Sequence, residues 1–151
     1  MNQPATKHAV GEARVRVRYA ETDQMGVVYH ANYLVWFEIG RVELMRQQGI
    51  DYKRMELEDD CHIVVADAHC RYERSARYDE VVRIRTHIAE SRNRIVKFAY
   101  QVFRDTDSEL LATGETTHII CGSNGRPKLL PQKYRVLLAA MGVSQPDRSE
   151  V

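Results

Sequence analysis

An α+β domain is predicted, with a five-stranded antiparallel sheet curled around one long apolar helix and a short C-terminal helix. Three features of the chain point to it. One alternating segment opens the chain, a single long helix candidate follows, and four alternating runs with short connections come after it. Strands joined by short turns pair antiparallel, and one segregated helix argues against a doubly wound parallel sheet. At 151 residues, one domain with a core of useful size is the default.

Residues 1–12 are polar and hold Pro4 and Gly11, so they are expected to form a flexible tail ahead of a domain spanning 13–142. From Ala13 the pattern alternates: Ala13, Val15, Val17 and Tyr19 on one face, Arg14, Arg16 and Arg18 on the other. That is a half-buried strand. An acidic loop, Glu21 to Gly26, leads to the helix candidate at Tyr33–Gln48. Its first half is apolar nearly all round (Tyr33, Leu34, Val35, Trp36, Phe37, Ile39), which predicts a helix wrapped by other structure. Gly49 suits its stop. A polar connection, Asp51 to Asp60, precedes runs with period-2 character at His62–Glu73, Glu80–Ser91, Arg94–Asp105 and Glu109–Cys121. Pro131–Met141 reads as the short terminal helix, opened by its proline, and 143–151 as a second flexible tail.

Composition narrows the function. The chain has 22 Lys+Arg against 21 Asp+Glu, a net charge of +1, with 44% hydrophobic residues. Disorder throughout is excluded, and no apolar run approaches the roughly 18 residues of a spanning helix. The first residues hold no apolar stretch of the secretory kind, so the cytoplasm is the expected compartment. Balanced charge argues against a nucleic-acid binder, although local basic patches stay open. Cys61, Cys70 and Cys121 are odd in number and lack CxxC spacing, and the histidines lack HExxH spacing. No disulfide framework, metal or bound cofactor is expected.

The unusual stretch is YAETDQMGVVYHANYLVWFEIGRVE, residues 19–43. An acidic loop there runs into the N-terminus of a buried helix, whose free N–H groups could polarise a carbonyl and hold an oxyanion. Asp23 could fold back over the same spot, and carboxylate plus oxyanion donors suffice for acyl transfer. The same residues also suit a plain turn, with Asn32 as helix N-cap.

This stretch resembles the signature of the 4-hydroxybenzoyl-CoA thioesterase-like family of hot-dog proteins, in its bacterial acyl-CoA thioesterase branch. Tyr19, Asp23, Gly26, Val27-Val28-Tyr29-His30, Asn32-Tyr33, Glu38 and Arg41 carry the likeness, which extends more weakly over about 14–141. The resemblance implies a hot-dog fold and hydrolysis of acyl-CoA thioesters. It places Asp23 as nucleophile or as general base for water. His30 would polarise the carbonyl through its N–H, and Tyr19 would position the aspartate or substrate. Asn32 is expected at the substrate or helix start, and Arg92 and Arg94 at the phosphates of coenzyme A. Glu38 is read as structural, paired with Arg41 or Arg46. Similar proteins pair edge to edge, which implies a homodimer or a dimer of dimers. The alternatives are a hot-dog dehydratase or hydratase, and a non-catalytic acyl-CoA-binding protein.

Overall fold

Pairing in the structure, a computed structural model describing residues 9–141, begins at Gly11, where β1 (Gly11–Arg16) takes its place beside β3 (Val81–Arg92). The register runs from Gly11 opposite Thr86 to Arg16 opposite Val81, so Gly11 and Glu12 belong to the strand and not to a tail. The other residues expected to form tails, 1–8 and 143–151, lie outside the described residues. The sheet is completed by β4 (Ile95–Arg104), β5 (Leu110–Cys121) and β2 (His62–Tyr72), in the order β1-β3-β4-β5-β2. Every pairing is antiparallel, as the short turns require.

Helix α1 (Asn32–Gln47) lies mainly on β1 and β3. Trp36, Phe37 and Leu44 are fully buried under it, with Phe37 stacked on Tyr100 at a ring separation of 4.3 Å. The approach is close enough to demand glycine at two points. A Cβ on Gly40 would stand 2.4 Å from Thr86 Oγ1, and one on Gly114 would stand 2.4 Å from the Phe37 ring. These contacts set the depth at which the helix sits.

The sheet curls around α1 without covering every side of it: Leu34 (41% exposed), Val35 (48%) and Ile39 (39%) form an outer stripe. Two expectations are corrected. Glu38 pairs with neither arginine; Arg46 bonds Glu43 at 3.0 Å, and Arg41 turns toward Tyr52, Tyr100 and His118. The polar connection contains a helix, α2 (Tyr52–Asp59), whose first turn is capped by the Asp51 carboxylate accepting from the Lys53 N–H at 2.9 Å. Its one buried residue, Met55, is too little apolar signal to show a period. Helix α3 (Gln132–Ala140) follows Pro131 as expected. Strand β2 forms the sheet edge opposite β1, is exposed from Val64 to His69, and carries a bulge at Ala66.

Candidate functional site

Beyond Val17 the alternation of β1 stops, and the chain tightens into a single 3₁₀ turn at Tyr19–Glu21. Asp23 then stands at the neck of a small loop: its N–H donates to the Val27 carbonyl (2.9 Å), and its carbonyl accepts from Gly26 (3.0 Å). Gly26 takes the left-handed conformation (φ 77°) that this turn requires. Asp23 Oδ1 accepts the Met25 N–H at 2.9 Å, an Asx turn that fixes the carboxylate. The turn reading of Asp23 is satisfied by this geometry.

The loop closes one wall of a cleft of about 290 Å³, lined among others by Asp23, Val28, His30, Tyr33, Tyr72 and Arg74. The opposite wall is the end of β2 and the segment after it. Tyr72 donates its hydroxyl to the His30 carbonyl (2.8 Å), and its ring meets the Tyr33 ring edge-on at 5.1 Å. Burial pushes the Tyr72 phenol up to about 12, so it stays protonated and remains a donor. Because a trans peptide points its C=O and N–H in opposite directions, holding the His30 carbonyl also aims the Ala31 N–H. Among the described residues neither the His30 nor the Ala31 N–H makes a hydrogen bond, whereas the amides of Asn32, Tyr33 and Leu34 are occupied by the carbonyls three residues back. The donors left at this helix entrance are those two.

The remaining expected site residues scatter. Tyr19 is 78% exposed and sets its ring edge-on against Tyr78 at 5.8 Å, because β1 ends before reaching it; it does not line the cleft. Asn32 is the first helical residue and not the cap; its side-chain N–H donates to the Glu21 carbonyl at 2.8 Å, so it braces the loop from outside the cleft. Arg92 and Arg94 occupy the β3–β4 turn, at the far end of the sheet. Ten residues of β3 separate Arg92 from Val82, roughly 30 Å, so one chain does not bring them to Asp23.

Two residues carry the site without having been singled out. Tyr72 closes the cleft and, through the His30 carbonyl, aims the Ala31 N–H, and Glu21 lies buried two residues before Asp23. Tyr72 is one aromatic among eight tyrosines, and Glu21 reads as an ordinary loop acid, so neither carries a local signal. The half-buried Cys70 thiol is pushed up by burial and acts as apolar filling between tyrosines. Among the described residues no group of three or more His, Cys, Asp or Glu is placed to hold a metal ion.

The profile of the thioesterase-like superfamily matches residues 17–140, which includes the Asp23 loop, α1 and the whole sheet from β2 to β5. The chain belongs to this superfamily. Among curated relatives, YneP of Bacillus subtilis is 37% identical over 110 residues, covering 73% of this chain and 78% of that protein. The acyl-CoA thioesterase YbgC of Haemophilus influenzae is 31% identical over 114 residues, covering 76% and 82%. Among solved structures, the DHNA-CoA thioesterase of Staphylococcus aureus superposes with a TM-score of 0.83 at 28% identity, covering 88% of this chain and 91% of that one. The superfamily fold and the strand order built above agree, and the hot-dog expectation stands.

Proposed function

We propose that this thioesterase-like protein hydrolyses acyl-CoA thioesters to the free acid and coenzyme A, with Asp23 and the α1 entrance as its machinery. The observation that carries the reading is a cleft lined by both Asp23 and His30, at a helix entrance whose His30 and Ala31 N–H groups make no hydrogen bond. A thioester suits so sparse a site. Its carbonyl is more electrophilic than an ester's, and the thiolate leaves without a strong acid.

The carboxylate of Asp23 attacks the carbonyl carbon, or takes a proton from a water that does so. The developing oxyanion is held by the two N–H groups, of which Tyr72 keeps that of Ala31 aimed through the His30 carbonyl. The C–S bond then breaks and coenzyme A departs as thiolate, leaving the free acid on the water route, or an acyl–Asp23 anhydride that water then hydrolyses on the nucleophilic route. The relatives named for acyl-CoA and DHNA-CoA thioesterase activity support the substrate class. The acyl group is left open between aliphatic and aromatic.

The working unit is a homodimer, or a dimer of two such dimers. Strand β2 offers an uncovered edge, and pairing it with a second copy antiparallel about a two-fold axis removes that edge. Such pairing sets the cleft end of one sheet beside the β3–β4 hairpin end of the other. Arg92 and Arg94 then serve the coenzyme A phosphates of the neighbouring cleft. Three unpaired cysteines fit the reducing cytoplasm, where we place the protein.

The test is a panel of acyl-CoA esters with free thiol as readout. Turnover of at least one ester is expected, with Asp23→Asn at least 100-fold slower. Parent-rate hydrolysis by that variant refutes the assignment, and a panel with no thiol released refutes the activity. Single-turnover hydrolysis in ¹⁸O-water, followed by mass analysis of the peptide holding Asp23, separates nucleophile from general base.

A further inference from the structure

The single buried carboxylate among the described residues lies two positions before Asp23 and has no part in the chemistry above. Glu21 is 4% exposed and does not line the cleft. Its Oε1 accepts the Arg18 backbone N–H at 2.8 Å, with the Arg18 guanidinium at 3.4 Å. Its Oε2 accepts the indole N–H of Trp36 at 3.0 Å, inside the core. Its backbone carbonyl accepts two further donors, the Tyr29 N–H at 2.9 Å and the Asn32 side-chain N–H at 2.8 Å. One residue thus ties together the arm entering the loop, the arm leaving it and the first turns of α1.

A buried carboxylate is expensive to desolvate, and a packed apolar side chain would fill the same space without that penalty. What the carboxylate adds is direction at two points. It binds the loop entry with one oxygen and the helix with the other, and both donors are fixed in the structure. Besides Glu21, the loop is held by its own internal turn, by Thr22 on the Tyr19 carbonyl, by the Val28 N–H donating to the Ala76 carbonyl at 2.8 Å, and by a weak contact from Arg77 to the Gly26 carbonyl at 3.5 Å. Of these ties, only those of Glu21 reach α1 itself, through Trp36 and Asn32.

We infer that Glu21 is a positioning residue: through its paired contacts to the Arg18 N–H and the Trp36 indole it fixes the Asp23 carboxylate relative to the oxyanion donors. This rests on the thioesterase reading for its effect on rate, though not for its effect on loop order. An ångström of misplacement in such a pair costs turnover far more than substrate binding, since the contacts to coenzyme A stay in place.

Two variants of the full chain test it. Glu21→Gln keeps the shape but has one acceptor oxygen, so it serves the Arg18 N–H or the indole, not both. Trp36→Phe keeps a ring in the core and removes only the donor. Both are expected to lower kcat at least tenfold, to move KM less than threefold, and to speed hydrogen–deuterium exchange selectively over residues 21–32. Trp36 is the only tryptophan, so Glu21→Gln should also shift its fluorescence emission maximum. A variant with parent kcat and parent exchange over 21–32, whatever its melting temperature, overturns the inference. If the parent hydrolyses no ester, the thioesterase reading falls separately, and the exchange result alone upholds or overturns the clamp.

Discussion

His118 offers the sharpest quantitative test of the packing between α1 and the sheet. The side chain has no exposed surface; Nε2 contacts Thr116 Oγ1 at 2.8 Å, and Thr116 in turn bonds the Tyr100 hydroxyl at 2.5 Å. Nδ1 is buried with no hydrogen-bond partner. Burial, and then the Arg41 charge, push the imidazole from 6.5 down to about 4. Above pH 6.5 it is neutral in both the folded and the unfolded chain, and folding carries no proton cost. As pH falls below 6.5 the unfolded chain takes up a proton that the folded one refuses, and stability is lost. The loss levels off below about pH 4, where the folded imidazole also titrates. The linkage gives about 1.4 kcal/mol at pH 5.5 and about 2.5 kcal/mol at pH 4.5, toward a ceiling of about 3 kcal/mol. Asp59, Asp60 and Asp107 are held below their ordinary value of 3.8, so their stabilisation fades only at lower pH and leaves this window clear. Urea unfolding at pH 7.0, 5.5 and 4.5, at one protein concentration, measures the effect against His118→Gln, which does not titrate there. The comparison cancels the other five histidines. Parallel loss of stability in the two proteins would refute the buried neutral imidazole.

Gly114→Ala places a methyl 2.4 Å from the Phe37 ring and 2.7 Å from the His69 carbonyl. Neither neighbour can retreat without moving α1 or β2, so a loss of about 1–3 kcal/mol is expected in urea unfolding. Tyr72→Phe removes the hydroxyl bond to the His30 carbonyl. It should cost about 1 kcal/mol in stability and lower kcat for the best acyl-CoA ester by more than it raises KM. An unchanged kcat would mean that the Ala31 amide is aimed without it.

Much of this architecture was legible because its signals are periodic. The four long strands announce themselves through alternation in runs such as Val82, Ile84, Thr86 and Ile88, and all four are buried in β3. The apolar helix was legible too, but its extent of burial was not. Composition shows that Leu34 and Val35 are apolar and cannot show where the curling sheet runs out. Helix α2 escaped notice because a cap and one buried methionine shape it, without an apolar stripe. Asp23 and His30, the residues that the family resemblance points to, both line the cleft. Tyr72 and Glu21 act through partners 42 and 15 positions away, separations at which no local pattern forms. Tyr19 misled for the converse reason: parity with Val15 and Val17 placed it in the core, yet the strand had already ended.

The distribution of ion pairs bears on how a nearly neutral chain would receive a polyanionic coenzyme. At the cleft end most cations are already committed, Arg77 excepted, which reaches only the Gly26 carbonyl at 3.5 Å. Arg74 contacts Glu109 at 3.2 Å, and Arg104 is shared among Glu80, Asp107 and Glu109. A phosphate arriving there would have to break pairs that hold the 73–80 segment in place. At the opposite end Arg94 forms no ion pair among the described residues, and Arg92 has only Glu90 at 3.0 Å. Positive charge is therefore freer at the hairpin end, while near the Asp23 loop Arg77 alone stands outside the ion pairs named here. On the proposed reading the two ends meet across a two-fold axis at β2, so dimerisation adds Arg92 and Arg94 to the coenzyme A site. A monomer would keep Asp23, its oxyanion donors, Tyr72 and Arg77, and would lack that second pair of cations for the nucleotide end of the substrate.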